Sequence, residues 1–393
     1  MVASEGIDKG PLALRGGQVL TPDGWRSTDL VIESGRIARV GPADDVMRVL
    51  DVQGLLLAPG FVDIQINGGH GFDLVSDPAG IWPLAALLPR HGTTAFLPTI
   101  VSSAPAAVEA ALGVLAQRPT GFVGAEPAGL HLEGPMLNAE RRGAHQARHL
   151  REPAATPTQA WSAAAGVALV TLAPELPGAA EMVAELVGRG VTVSAGHTEA
   201  TAQELDTARR AGLSLVTHLF NAMAPMGHRH PGVIGSALAD HRLIAGLIVD
   251  GIHVDPTVVR AAWNAKGPGS IALVTDAVAP MGMGPGRFEL DGRNLVVSAG
   301  AVRNAEGRLA GSALSMDQAV RNLVAFTGCP PDEALRAAST VPAAAVGLEN
   351  KGCLVDGADA DIVVVNAALE VVLTVCRGEV AYLDEQAEIT VGS

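Results

Sequence analysis

Between residues 59 and 350, short apolar runs alternate with stretches of helical pattern, and this alternation restricts the fold more than any other feature of the chain. Repeated β-then-α segments call for a parallel sheet, because parallel neighbours need a long crossover that a helix normally fills. Eight runs read as strands: Phe61 to Asn67, Thr94 to Ile100, Ala128 to Glu133, Val167 to Leu172, Val191 to Ala195, Leu215 to His218, Ile244 to Val249 and Ile271 to Thr275. Eight units imply closure into an α/β fold of the (β/α)8 TIM-like barrel type. Helices are expected over Ala179 to Arg189, Glu199 to Ala211 and Pro256 to Lys266, the last capped by Asp255 and stopped by Gly267. Ser315 to Phe326 and Pro331 to Val346 are expected to complete the helical ring, and Arg287 to Gly311 reads as a β-hairpin insertion after the eighth strand.

The flanks have a different pattern. Leu12 to Leu20, Asp29 to Val40 and Arg48 to Leu57 read as strands punctuated by turn residues, and Asp361 to Val365 and Val371 to Tyr382 read alike. The expected organisation is therefore a small β-sandwich domain built from both ends, residues 1–58 and 351–393, around a hydrolase barrel at 59–350. With hydrophobic residues at 48% and charged residues at only 17%, the chain can bury a sheet on both faces.

Several classes are disfavoured. Cys329, Cys353 and Cys376 are odd in number and lack CxxC spacing, so neither a disulfide framework nor a thiolate metal site is signalled. Glu5, Asp8 and Lys9 interrupt the N-terminus and no long apolar run occurs, which makes a soluble, cytoplasmic chain without a membrane partner the expectation. A formal charge of −14 with no basic tract argues against a nucleic-acid partner. Any anionic ligand must then be held by a local group of cations, and His228-Arg229-His230 with His253 is the densest such group. Arg141-Arg142 read equally as a mobile lid or a solvated face.

Four candidate strands end on a chemically useful side chain: Glu133 on the third, His197 just past the fifth, His218 on the sixth and Asp276 just past the eighth. In a barrel of this kind the active site lies at the C-terminal strand ends. A lone strand-end histidine is more often a hydrogen-bonded structural residue, but four such residues together point to a metal site. Two imidazoles and a carboxylate are a common ligand set for catalytic zinc, and a further aspartate can move the proton of an activated water. Asp63, Gln65 and Asn67 share one face of the first strand, where many metallohydrolase barrels carry His-x-His; neutral amides are weak zinc ligands. The chain's only lysines are Lys9, Lys266 and Lys351, so a bridging carbamylated lysine at the end of strand four is ruled out. One divalent metal ion per active site is expected, zinc first, with iron, cobalt or manganese also compatible.

The sequence then resembles a known family. Pro59-Gly60-Phe61-Val62-Asp63, His131-Leu132-Glu133-Gly134-Pro135, Thr171-Leu172-Ala173-Pro174-Glu175, Ser194-Ala195-Gly196-His197, Thr217-His218-Leu219-Phe220-Asn221-Ala222-Met223, Asp250-Gly251-Ile252-His253 and Val274-Thr275-Asp276-Ala277 are similar, in order, to the motifs of the N-acetylglucosamine-6-phosphate deacetylases of the amidohydrolase superfamily. The resemblance implies that Glu133, His197 and His218 hold the metal and that Asp276 is the general acid/base. It places His253, Asn221, the Ala222 backbone and Arg229 around a sugar phosphate, with Arg229 supplied across a homodimer interface, and His145 near the substrate amide. Gln65 and Asn67 match the family's single-metal members. The implied substrate is an amino-sugar phosphate, N-acetyl-D-glucosamine 6-phosphate. Deacylation of another N-acyl amine, such as an N-acetylgalactosamine phosphate or an acyl amino acid, and a non-catalytic sugar-phosphate-binding protein remain the alternatives.

Overall fold

A computed structural model gives the structure, which describes residues 10 to 392 apart from 291, 292, 388 and 390. Eight barrel strands follow one another as Phe61–Ile66 (β1), Thr93–Val101 (β2), Leu130–Glu133 (β3), Val167–Leu172 (β4), Thr192–Ala195 (β5), Leu215–Val216 (β6), Ile244–Leu247 (β7) and Ile271–Leu273 (β8). Their near-continuous apolar composition has a simple cause: helices cover the outer face and packed side chains fill the interior, so neither face meets water. β1 is buried at all six positions. All neighbours from β1 to β8 pair in parallel, with Val101 opposite Glu133, Glu133 opposite Thr171 and Thr171 opposite Ser194.

The seam between β8 and β1 closes just beyond the regular strand. Asp276 donates its backbone N–H to the Gln65 carbonyl at 2.9 Å, and Asn67 donates to the Ala277 carbonyl at 2.8 Å. Asp63, buried on β1, accepts from the Thr275 hydroxyl at 2.5 Å. Burial pushes the Asp63 carboxyl up to about 7 against the opposing effect of the hydrogen bonds it accepts from the Thr275 hydroxyl and the Gln65 and Thr275 backbone N–H groups.

Both chain ends contribute to two further sheets. One orders residues 391–392, 48–51, 12–15, 30–33 and 36–40; the other orders 379–383, 371–376, 362–365, 56–59, 18–21 and 24–27. The ends meet directly where Ile362 pairs with Pro59 and Val364 with Leu57. Leu14, Leu30, Ile37, Leu57, Ile362, Val364 and Leu373 form their shared core. Lys351 joins this part to the barrel: its Nζ lies 2.6 Å from Asp361, 3.1 Å from Asp359 and 3.1 Å from Glu126, which flanks β2 on the short strand Glu126–Pro127.

Three expectations change in detail. The helix expected over Pro331 to Val346 is two helices, Pro331–Ala338 and Thr340–Ala345, with Ser339 outside helical geometry between them. Pro342 has no N–H for the Ala338 carbonyl and its ring crowds that carbonyl, so the helix cannot run through. The segment expected as a hairpin is a four-stranded antiparallel meander, Gly286–Leu290, Arg293–Ser298, Ala301–Arg303 and Leu309–Ser312. β6 stops at Val216, and Thr217 and His218 belong to the turn after it. Among the described residues no helix is long and apolar enough to cross a membrane.

Candidate metal centre

Side chains alternate along a strand, so His131 and Glu133 both face the barrel interior from β3. The other strand ends use a different device. His197, His218 and Asp276 all have positive φ, at 50°, 29° and 48°. Residues other than glycine rarely adopt this region, and such strain collects at functional sites because only the surrounding structure can hold it. Here it turns three side chains into one mouth as the chain leaves β5, β6 and β8.

Glu133, His197 and His218 converge there, all buried, with one candidate ligand atom from each within 4.8 Å of the others. The Glu133 Oε1 lies 3.0 Å from His197 Nε2 and 3.0 Å from His218 Nε2. His197 Nδ1 sits 2.8 Å from the Arg141 carbonyl. A carbonyl only accepts, so the neutral ring carries its proton on Nδ1 and turns the Nε2 lone pair toward the carboxylate oxygen. His218 Nδ1 is buried with no hydrogen-bond partner. His197 Nε2 and Glu133 Oε1 are thus two acceptors facing one another in a dry site, which a cation between them resolves, and two imidazoles with one carboxylate fit a divalent ion with a coordination place left over.

Asp276 lies at the edge of this cluster. Its Oδ1 accepts from Asn67 Nδ2 at 2.7 Å and from Gln65 Nε2 at 3.3 Å, and the Gln65 amide also reaches Glu133 Oε1 at 3.2 Å. Gln65 and Asn67 therefore act as donors that orient two carboxylates. Burial, followed by the negative charge of Glu133, pushes the Asp276 carboxyl up to about 6.

His145 reaches the same cluster, its Nε2 3.6 Å from Glu133 Oε2. The Ser102 backbone N–H donates to His145 Nδ1 at 3.2 Å, which leaves the proton on Nε2, facing the mouth. His253 is fixed by Asp250, 2.6 Å from its Nδ1. Asn221 donates from Nδ2 to the His218 carbonyl at 3.3 Å, and the Ala222 carbonyl accepts from the Thr198 N–H at 3.1 Å. Arg229 is not brought in: it is exposed beside His228 and His230 and makes no hydrogen bond or ion pair among the described residues.

Sequence reasoning passed over a buried polar layer beneath the ligands. His131 Nε2 contacts the Thr171 hydroxyl at 2.7 Å, which meets Thr217 at 2.7 Å, which meets Ser194 at 2.6 Å. Each of these residues lies inside one of the family-like motifs, and the position two before Glu133 on an inward-facing strand is the signal in the sequence for His131. Burial lowers the His131 imidazole to about 4, so it is neutral.

A metal-held water beside a buried carboxylate can hydrolyse an amide or ester. Comparison with known proteins agrees with that chemistry. The amidohydrolase family model matches residues 56–381. N-acetylglucosamine-6-phosphate deacetylase of Rattus norvegicus is 39% identical, over 96% of this chain and 92% of its own. N-acetylgalactosamine-6-phosphate deacetylase of Escherichia coli O157:H7 is 36% identical over 94% of this chain and 98% of its own. The solved structure of a mutant N-acetyl-D-glucosamine-6-phosphate deacetylase from Mycobacterium smegmatis, in complex with N-acetyl-D-glucosamine-6-phosphate, superposes with a TM-score of 0.85 at 34% identity, covering 95% of this chain and 99% of that one.

Proposed function

We propose that this chain, which belongs to the amidohydrolase family and within it to the N-acetylglucosamine-6-phosphate deacetylases, hydrolyses N-acetyl-D-glucosamine 6-phosphate to D-glucosamine 6-phosphate and acetate. The observation that carries this reading is the convergence of Glu133, His197 and His218 beside Asp276 in a chain that matches such deacetylases over nearly its whole length.

In this reading Glu133, His197 and His218 hold one divalent ion, zinc by preference. When bound, the ion supplies Lewis-acid polarisation of the amide carbonyl and lowers the pKa of water. Asp276 takes the proton from the attacking water and gives it to the amine nitrogen as the C–N bond breaks, so one water is consumed and acetate and a free amine leave. Gln65 and Asn67 hold the carboxylate for this transfer. His145 donates its Nε2 proton toward the amide oxygen as negative charge develops there. His253, Asn221, the Ala222 backbone and Arg229 bind the sugar phosphate. The exposure of Arg229 fits a residue completed by a second copy, and the active unit is a cytoplasmic homodimer. The chain divides at 58/59 and 350/351 into the end-formed β-domain and the barrel.

The E. coli relative favours one second reading, in which the galactosamine epimer is the substrate. Acetate release across a panel of N-acetylglucosamine 6-phosphate, N-acetylgalactosamine 6-phosphate, unphosphorylated N-acetylglucosamine and an N-acyl amino acid tests both. The proposal expects the glucosamine phosphate to be fastest and Arg229→Ala to weaken phosphorylated substrates selectively. A faster galactosamine phosphate, or an equal effect of Arg229→Ala on unphosphorylated substrates, contradicts it.

A further inference from the structure

β4 supplies no ligand to the metal centre, yet the loop after it carries a carboxylate that three different groups converge on. Glu175 Oε1 accepts from Asn138 Nδ2 at 2.9 Å and from the Glu199 backbone N–H at 2.7 Å, and its Oε2 accepts from the Thr198 hydroxyl at 2.5 Å. Asn138 lies in the loop after β3, whereas Thr198 and Glu199 follow His197 after β5. One carboxylate therefore gathers the loops on either side of its own strand.

The loop after β3 needs such an anchor. Between Glu133 and β4 its only helical structure is four single-turn 3-10 segments, beginning with Ala139–Arg141. Single turns of this kind do not support themselves, so tertiary contacts must place the loop. It nonetheless performs an exacting task, because its Arg141 carbonyl accepts the hydrogen bond from His197 Nδ1–H. A ligating histidine depends on the partner of its other nitrogen for tautomer and orientation. Asn138 sits at the join: its backbone N–H donates to the His197 carbonyl at 3.0 Å, its Oδ1 accepts from the Glu140 N–H at 2.8 Å and its Nδ2 reaches Glu175. Gly143 on the same loop packs so closely that a Cβ there would come within 3.3 Å of His197 Cε1. His145 follows two residues later.

We infer that Glu175 and Asn138 form a positioning pair that holds the loop after β3 against His197, fixing the tautomer that offers Nε2 to the metal and seating His145 over the substrate amide. This rests on the reading of Glu133, His197 and His218 as metal ligands. Neither residue touches the reacting atoms; both act through Arg141 and the loop that carries it. Thr198 on Oε2 and the Glu199 N–H on Oε1 tie the same carboxylate to the segment leaving His197, so the pair couples ligand and loop instead of bracing either alone.

The test uses the full-length, metal-loaded chain and the variants Glu175→Ala, Glu175→Gln, Asn138→Ala and the double alanine variant. Metal release to a chelator is followed alongside kcat and KM for acetate release, with thermal unfolding of the metal-free chains as the measure of bulk stability. The pair predicts metal release at least tenfold faster in either alanine variant and metal-free unfolding temperatures close to the unsubstituted chain. The double variant is expected to be no faster than the worse single one, and Glu175→Gln, which keeps one acceptor oxygen, to recover part of the loss. Should Glu175→Ala fail to fold, Asn138→Ala alone carries the same comparison. Release within twofold of the unsubstituted chain, additive effects in the double variant, or losses that only track metal-free unfolding temperature overturn the pair. An unsubstituted chain that takes up no metal overturns the pair and the proposed function together; one that is loaded and active beside unaffected variants overturns the pair alone.

Discussion

Two groups of acids, each with one fully buried member, stand beside the barrel, one at its junction with the end-formed sheets around Asp361 and one at its mouth around Glu133. At the junction, Glu126, Asp359 and Asp361 surround Lys351 Nζ at 2.6 to 3.1 Å. At the mouth, Glu133 and Asp276 meet three imidazoles and two amides, and no lysine or arginine hydrogen-bonds to either acid among the described residues. Buried charge is tolerated only when compensated. The junction carries its own cation and is a mechanical joint, whereas the mouth leaves compensation to a cation from solution. The same residue type thus has opposite meanings, decided by whether the chain brings a positive charge to it.

The largest expected break in this comparison is Glu133→Gln. It removes the single anionic ligand, so metal content measured by elemental analysis is expected to fall to near zero and acetate release with it, while the fold persists. Asp276→Asn separates chemistry from binding: metal content is expected to stay near that of the unsubstituted chain while kcat falls by roughly 10²–10⁴, the range for removing a general acid/base. Near-normal turnover contradicts the role given to Asp276.

The converse break is at the joint. Lys351→Met leaves the buried Asp361 carboxylate without its cation, while the half-buried Asp359 and Glu126 keep Arg36 and Arg377, and a loss of about 3 kcal/mol in unfolding free energy is expected from denaturant titration. Metal content and kcat per folded chain are expected to hold. The smallest effect is a pH dependence. Burial alone would lower the Lys351 ammonium, but Asp361, Glu126 and Asp359 outweigh it and raise its pKa. A group whose folded pKa is raised contributes stability that is full below the unfolded value, about 10.4, and is lost as pH rises through the folded one. Urea midpoints are expected to fall between pH 10 and pH 12 more steeply for the unsubstituted chain than for Lys351→Met.

The fold was legible because its signal is repetitive. Eight apolar runs on a βα rhythm survive errors of one or two residues at their ends, and β4, at Val167–Leu172, lies where the sequence places it. Breaks caused by a single proline were harder to read: Pro342 splits a helix that periodicity alone carries through. At the site, strand-end position singled out Glu133, His197, His218 and Asp276, and the structure brings the four together. What stayed hidden was how they are aimed. Left-handed backbone at two histidines and an aspartate has no signature in those residue types, and the donors from Gln65 and Asn67 became visible only once β1 closed against β8. Glu175 lies in the Thr171-Leu172-Ala173-Pro174-Glu175 motif, but its partners lie 23, 24 and 37 residues away in sequence, beyond the reach of any local pattern.

Metal content and acetate release from N-acetyl-D-glucosamine 6-phosphate, measured on the same purified samples of the unsubstituted chain, Glu133→Gln and Lys351→Met, test the contrast most directly. The account predicts one divalent ion per chain with turnover in the unsubstituted chain and in folded Lys351→Met, and neither in Glu133→Gln. Full metal occupancy in Glu133→Gln, or a metal-free unsubstituted chain that turns over at the same rate, would contradict it.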